Sequence, residues 1–273
     1  MSTATIELPR VSSREEWIAA RKELLAKEKE LTRLKDELNI QRRQLPMVEV
    51  DKHYEFEAAD GRRVRLLDLF EGRRQLIVYH FMFDPDDPPP GQTAPWTEGC
   101  PGCSFVVDNI SPFAVTHLQQ RETTLVLISR APQAKILPFK RRMGWTLPWF
   151  SSFGSDFNYD FKVTVDPERG QNEWNYRNTQ ELVDEHKIPD VKGELPGLSV
   201  FLRDGERVYH AYSTYARGLD AFLSTYQFLD VTPFGRGEGW DGMADIDGKG
   251  MNWLRHHDKY EQPAEKSGCC HCE

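Results

Sequence analysis

Two cysteines carry the clearest chemistry in this chain. Cys100 and Cys103 stand in Glu98-Gly-Cys-Pro-Gly-Cys-Ser-Phe105, with Pro101 directly after the first and an apolar run after the second. Proline is tolerated at the first position of a helix, so Cys100 falls at a helix N-terminus. Unpaired N–H groups and the helix dipole there favour a thiolate over a thiol. Cys100 is then the expected nucleophile. Cys103, one turn on, is the expected resolving thiol, and the pair can cycle between dithiol and disulfide. A half zinc site and two structural cysteines are the plainer readings of the same spacing.

Other residues bear on the same site. Thr97-Glu-Gly-Cys100 satisfies T-x-x-C, a pattern in which the threonine hydroxyl orients a peroxide on the thiolate. The proline that pattern calls for seven residues before the cysteine is replaced by Thr93. Arg130, at the end of a later strand, is placed to lower the thiol pKa, or else to be a solvated strand-end arginine. The tail Cys269-Cys270-His271-Cys272 offers soft ligands for zinc or copper(I), or an electron relay, or incidental thiols. No other cofactor is expected. His80 reads as a satisfied core histidine. His256-His257-Asp258 and the segment 154–160 are candidate pocket-lining groups, although packing explains paired histidines as well. The acidic stretch 241–247 has Met243 where a calcium loop needs its first ligand, so a calcium site is rejected.

The elements that must position these groups follow from pattern. Gln75-Leu-Ile-Val-Tyr-His-Phe-Met-Phe83 is a buried strand leading to the cysteines through a proline-rich insert, 84–95, that is either a lid or a solvated excursion. Strands are also expected over 47–56, 64–70 (with a helical turn), 123–129, 198–202 and 208–212, the last two as a hairpin about Asp204-Gly205. Helices are expected over 132–142 and 219–229. The segment 145–193 reads as an insertion with little regular structure. The order β-α-β-α-β-β-α, with C-x-x-C opening the first helix, is the thioredoxin-like layout, an α/β fold with a central mixed sheet flanked by helices. Pro196 precedes the first hairpin strand, where such folds place a cis-proline facing the cysteines. With that isomer the Leu195 backbone would be free to pair with a substrate strand.

A capping box, Ser13 with Glu16, opens a long charged helix over about 13–44. Trp17, Leu24, Leu31 and Leu38 recur every seven residues and make a narrow apolar seam. It packs either on its own domain or on a second copy as a homodimer. The expected division is a helical arm at 1–46, a thioredoxin-like domain at 47–260 with its insertion at 145–193, and a flexible cysteine-rich tail at 261–273.

The net charge of −8 argues against nucleic acid as the main partner. No stretch has the length of a transmembrane helix, and the first ten residues lack the pattern of a signal peptide. A cytoplasmic protein is expected, its partners a disulfide-bearing protein or a small thiol or peroxide, plus a reductant. In that compartment structural disulfides are rare.

Several motifs together are more specific than any one. Ser13-Arg-Glu-Glu-Trp17, Tyr79-His-Phe-Met-Phe83, Glu98 to Phe105, Ser129-Arg-Ala-Pro132, Arg142-Met-Gly-Trp145, Gly154 to Phe161, Glu194-Leu-Pro-Gly-Leu-Ser-Val-Phe201, Tyr212 to Asp220 and Arg255-His-His-Asp258 form one set. With them the chain resembles the thioredoxin-like family catalogued as domain of unknown function 899, over about residues 12–260. The resemblance implies the fold and a dithiol role for Cys100 and Cys103. The proline-rich insert and the tail depart from it, and both bear on access to the dithiol.

Overall fold

The computed structural model describes residues 9–86, 93, 96–186, 191–239 and 250–261. Residues 87–92 and 94–95 of the proline-rich insert, the acidic stretch 241–247 and the tail cysteines lie outside the described residues. The chain opens with α1 (Arg14–Arg43), capped by Ser13 and Glu16 in the expected reciprocal box. Then come β1 (Val48–Glu49), β2 (Glu55–Glu57), β3 (Arg63–Arg65), a 3-10 turn at Leu66–Phe70 and β4 (Gln75–His80). The cysteine helix α2 (Pro101–Asp108) is followed by α3 (Pro112–Gln119), β5 (Thr123–Ser129), α4 (Gln133–Arg142), β6 (Trp149–Ser151) and α5 (Phe157–Asp160). After β7 (Thr164–Val165), β8 (Glu173–Trp174), β9 (Arg177–Asn178), α6 (Thr179–His186) and β10 (Gly193–Glu194), the hairpin β11 (Gly197–Asp204) and β12 (Arg207–Tyr215) leads to α7 (Ser224–Leu229).

The main sheet has eight strands in the order β1-β12-β11-β4-β5-β6-β2-β3. Strands β4 and β5 run parallel, β11 is antiparallel to β4, and β12 is antiparallel to β11. The order β5-β4-β11-β12, with the cysteine helix following β4, is the thioredoxin-like core. Alternation on the central strands divides the interior. Tyr79 and Phe81 of the β4 region and Leu125 and Leu127 of β5 face α2. Leu76, Val78, Val126 and Ile128 face the opposite layer with Phe56, Phe157 and Phe201. A cysteine on α2 therefore packs against Tyr79.

Four expectations are corrected. The strand read over 47–56 is two strands on opposite halves of the sheet: β1 pairs with β12, and β2 pairs with β3 and β6. The polar stretch Asp51-Lys52-His53 between them carries the crossing. The segment 145–193 is not wholly an insertion without regular structure, because β6 extends the main sheet parallel to β5. Three residues buried or half-buried on both faces give no alternation to read. The helix read over 219–229 is a 3-10 turn at Ala216–Phe222 followed by α7, broken at Leu223, whose φ of −105° and ψ of 87° are not helical. Finally, α1 does not pack its seam on its own domain: it has no buried residue, and Leu24, Leu31 and Leu38 are all exposed.

Candidate active site

Cys100 is the N-cap of α2, with Pro101 at the first helical position and no side-chain cap. The sulfur thus occupies the place where a capping oxygen would sit. The loop before it is anchored to the extension of β4. The Cys100 N–H donates to the Met82 carbonyl at 3.1 Å, and the Met82 N–H donates to the Cys103 sulfur at 3.3 Å. Both cysteines are in the free thiol state, Cys100 partly accessible and Cys103 buried.

The two thiols are driven apart. A hydrogen bond from the Cys103 thiol, with help from the backbone N–H groups of Cys103 and Gly102, outweighs burial and brings Cys100 down to about 7. Burial pushes Cys103 well above its ordinary value, and the neighbouring Cys100 adds to this. The Tyr79 hydroxyl and the Met82 amide pull partly the other way. Tyr79 is fully buried, and its hydroxyl lies beside the Cys103 sulfur without a hydrogen bond of standard geometry. A nucleophile that ionises near neutrality, backed by a thiol that stays protonated, is the division of labour that disulfide exchange requires.

Gly99 must be glycine. A Cβ there would overlap the rings of Phe81 and Phe139. Its carbonyl accepts from His256 Nε2 at 2.8 Å, and the Nδ1 of the same ring faces an Arg142 N–H at 3.1 Å. Glu98 gathers Arg142, Lys259 and His256 around one carboxylate, and Arg142 also holds Asp258 at 3.1 Å. His257 sits 2.9 Å from Asp108 of α2. His256 and His257 therefore fasten the C-terminal segment to both ends of the cysteine helix, at Gly99 just before it and at its last residue, Asp108.

A cavity of about 290 Å³ opens against Cys100 and Cys103, lined among others by Tyr79, Phe105, Val106, Pro196, Leu219 and Leu223. Thr97 lies elsewhere, in a cleft shared with Gly99, Cys100, Pro101 and His256. The structure thus brings Thr97, Pro101 and Pro196 next to Cys100, on different sides. Arg130 it does not. Its guanidinium binds the buried Glu194 at 2.9 Å and stacks on Tyr159, so it is neither a thiolate activator nor a solvated strand-end residue. Asn158 and Thr164 complete the shell of Glu194 at 3.0 and 2.8 Å. Burial lifts that carboxyl to about 7 against the opposing pull of Arg130. Asn158 and Tyr159 of the segment 154–160 therefore serve this ion pair, while Asp156 and Asp160 hold Lys52.

Leu195 is also corrected. Its N–H donates to the Val163 carbonyl at 2.8 Å, and β10, directly before it, pairs with β7. The Leu195 N–H is therefore not free for a substrate strand. His80 is buried on the face away from the cysteines, bonded through Nε2 to Ser199 at 2.8 Å. Its Nδ1 has no partner, so it is only half satisfied. Among the described residues no group of three or more histidine, cysteine or acidic side chains is arranged to hold a metal, and no helix is long and apolar enough to cross a membrane.

Residues 6–260 match the model of a family described as bacterial protein of unknown function (DUF899). The chain belongs to that family. No curated protein matches it. Among solved structures it is similar to a PrxQ mutant from Xylella fastidiosa, with 14% identity, 64% of this chain and 88% of that chain covered, and a TM-score of 0.37. The peroxidoxin BcpB from Mycobacterium tuberculosis gives 15% identity, coverage of 68% and 97%, and a TM-score of 0.41. A mitochondrial 2-Cys peroxiredoxin from Plasmodium falciparum gives 13%, 65% and 90%, and 0.37.

Tyr79, Glu98 and Glu194 are the site residues that sequence reasoning missed; His256, read as a candidate pocket-lining group, lines the cleft beside Cys100. Tyr79 had a usable signal, since period-2 alternation places it with Phe81 on the face that receives α2.

Proposed function

We propose that this DUF899 protein is a thiol–disulfide oxidoreductase acting through Cys100 and Cys103. The observation that carries the reading is the partly accessible Cys100 at the α2 N-cap, brought down to about 7 and hydrogen-bonded to a buried thiol. The Cys100 thiolate attacks a disulfide sulfur, and a mixed disulfide forms as the first half of the substrate leaves. Cys103 then displaces the second half, closing the Cys100–Cys103 bond. Two electrons pass to the substrate, and a dithiol reductant restores the enzyme.

Peroxide is the alternative substrate, for which Thr97 is the supporting residue. Arg130 gives that reading no support, because it is committed to Glu194. The test is peptide-mapped oxidation of the full chain. A disulfide should convert both Cys100 and Cys103 to one bond, and Cys100→Ser should abolish this. If hydroperoxide oxidises Cys100 and disulfides do not, the peroxidase reading replaces ours.

We assign the exposed seam of α1 to a second copy of the chain. Four apolar side chains at a seven-residue spacing match a two-helix interface, and all four are exposed.

A further inference from the structure

The apolar cavity and the paired strand edge beside Pro196 together specify what reaches Cys100. We propose that the substrate is a low-molecular-weight disulfide with an apolar arm, rather than an extended polypeptide. The inference rests on the dithiol reading above and narrows it.

The first observation is the edge. An extended polypeptide would add to this site by lending main-chain hydrogen bonds to the strand before Pro196. Here Gly193 pairs with Val165 and Glu194 with Thr164, and the Leu195 N–H is taken by Val163. The strand that would receive a peptide already has a partner from its own chain. Gly197 adds to the closure. It is pressed so closely between Tyr215 and Val163 that a Cβ would approach their side chains to 2.8–2.9 Å. The Leu195 N–H and the edge of β10 that faces β7 are therefore already taken within the chain.

The second observation is the cavity. At about 290 Å³ it lies near the lower end of small-molecule sites. Val106, Leu219, Leu223, Met251 and Leu254 supply apolar walls, and both sulfurs border it. Its two charged lining residues, Arg217 and Asp220, face each other at 3.6 Å, so neither sign of charge dominates. An ionic disulfide would lose its hydration there with little in return, whereas an alkyl or aryl arm gains by leaving water. The third observation is Tyr79, which also lines the cavity and whose buried hydroxyl lies beside the Cys103 sulfur without a hydrogen bond of standard geometry. It supplies one donor beside the sulfurs, where negative charge develops during exchange.

The reaction balances without another component. With the apolar arm R in the cavity, Cys100–S⁻ attacks the sulfur that carries R in R–S–S–R′. A Cys100–S–S–R bond forms and R′–S⁻ leaves, taking a proton from water. The Cys103 sulfur then attacks the Cys100 sulfur as R–S⁻ departs, and the thiol proton of Cys103 passes to R–S⁻. The dithiol has lost two electrons and two thiols have been released.

The test uses the reduced full-length protein with di-n-propyl disulfide and bis(2-hydroxyethyl) disulfide, which have equal numbers of heavy atoms. A disulfide-bonded extended peptide is the third oxidant. Each rate of Cys100–Cys103 bond formation, followed by peptide mapping, is divided by the rate of the same oxidant with dithiothreitol. The propyl compound should lead the hydroxyethyl compound by about tenfold, since a hydroxyl in place of a methyl must lose its hydration in an apolar pocket. Met251→Glu, which places a carboxylate on the cavity wall, should bring the ratio towards one. A wild-type ratio near one, a peptide that reacts fastest, or a ratio unmoved by Met251→Glu overturns the proposal. Failure of every disulfide to close the bond overturns the exchange reading instead, so the two failures are distinguishable.

Discussion

The Nε2 of His256 donates to the carbonyl of Gly99 at 2.8 Å, across 157 positions of sequence. The residue before the nucleophile is thereby pinned by an imidazole that is itself buried against Phe139. The C-terminal segment is thus part of the cysteine loop's support. His256→Ala should destabilise the protein by about 1–3 kcal/mol, the cost of leaving a buried carbonyl unpaired. Urea unfolding measures this, and a variant as stable as wild type would show that the contact is incidental.

Tyr79→Phe should separate stability from chemistry. Removing a buried hydroxyl that lacks a standard hydrogen bond leaves stability unchanged or raises it slightly. The same change removes a donor that favours the Cys103 thiolate, so attack on the mixed disulfide should slow several-fold. Mass spectrometry after a rapid acid quench would show the mixed disulfide at Cys100 accumulating. No accumulation would mean that Tyr79 only fills space.

The buried pair of Arg130 and Glu194 makes a prediction about pH. The native carboxyl ionises at about 7, above its ordinary 4.5, so the folded state holds this proton more tightly than the unfolded state. The stability it contributes is complete below pH 4.5 and declines as pH rises to 7, by on the order of 3 kcal/mol. Arg130→Met removes the cation that stabilises the carboxylate and raises that pKa further. The variant's deficit against wild type should therefore grow between pH 5 and pH 8 in urea titrations. Pairing it with Glu194→Gln should remove most of that growth. A deficit independent of pH would contradict the coupling.

The α1 seam predicts a dimer. Sedimentation velocity on the full chain should show self-association, and Leu24→Glu with Leu31→Glu should abolish it without shifting the thermal transition of the sheet domain. A monomeric wild type would refute the assignment.

Legibility followed the range of the interaction. The β4 strand and the α2 start could be read because their signals are local: an apolar run, and a proline one residue after a cysteine. The hairpin was visible for the same reason, through Asp204-Gly205 between alternating segments. What escaped depends on distant partners. Arg130 was visible as a strand-end cation, but Glu194 lies 64 residues away, and nothing near either residue announces the pair. The cover on Leu195 comes from Val163, in a segment whose strands are only two residues long. Strands that short carry no period. The α1 heptad shows the converse, a periodicity that correctly located a helix but did not say what its apolar seam packs on.

The most direct test of the central claim is the pH dependence of alkylation at Cys100 in the full-length protein, followed by peptide mapping. The account predicts a midpoint near 7, as the thiolate fraction rises through that pH, with Cys103 unreactive in the folded state. Cys103→Ala should move the midpoint upward, because the hydrogen bond that stabilises the thiolate is lost. A wild-type midpoint at or above the free value of about 8.5, or no labelling of Cys100 in the folded state, would contradict the assignment of this cysteine as the nucleophile.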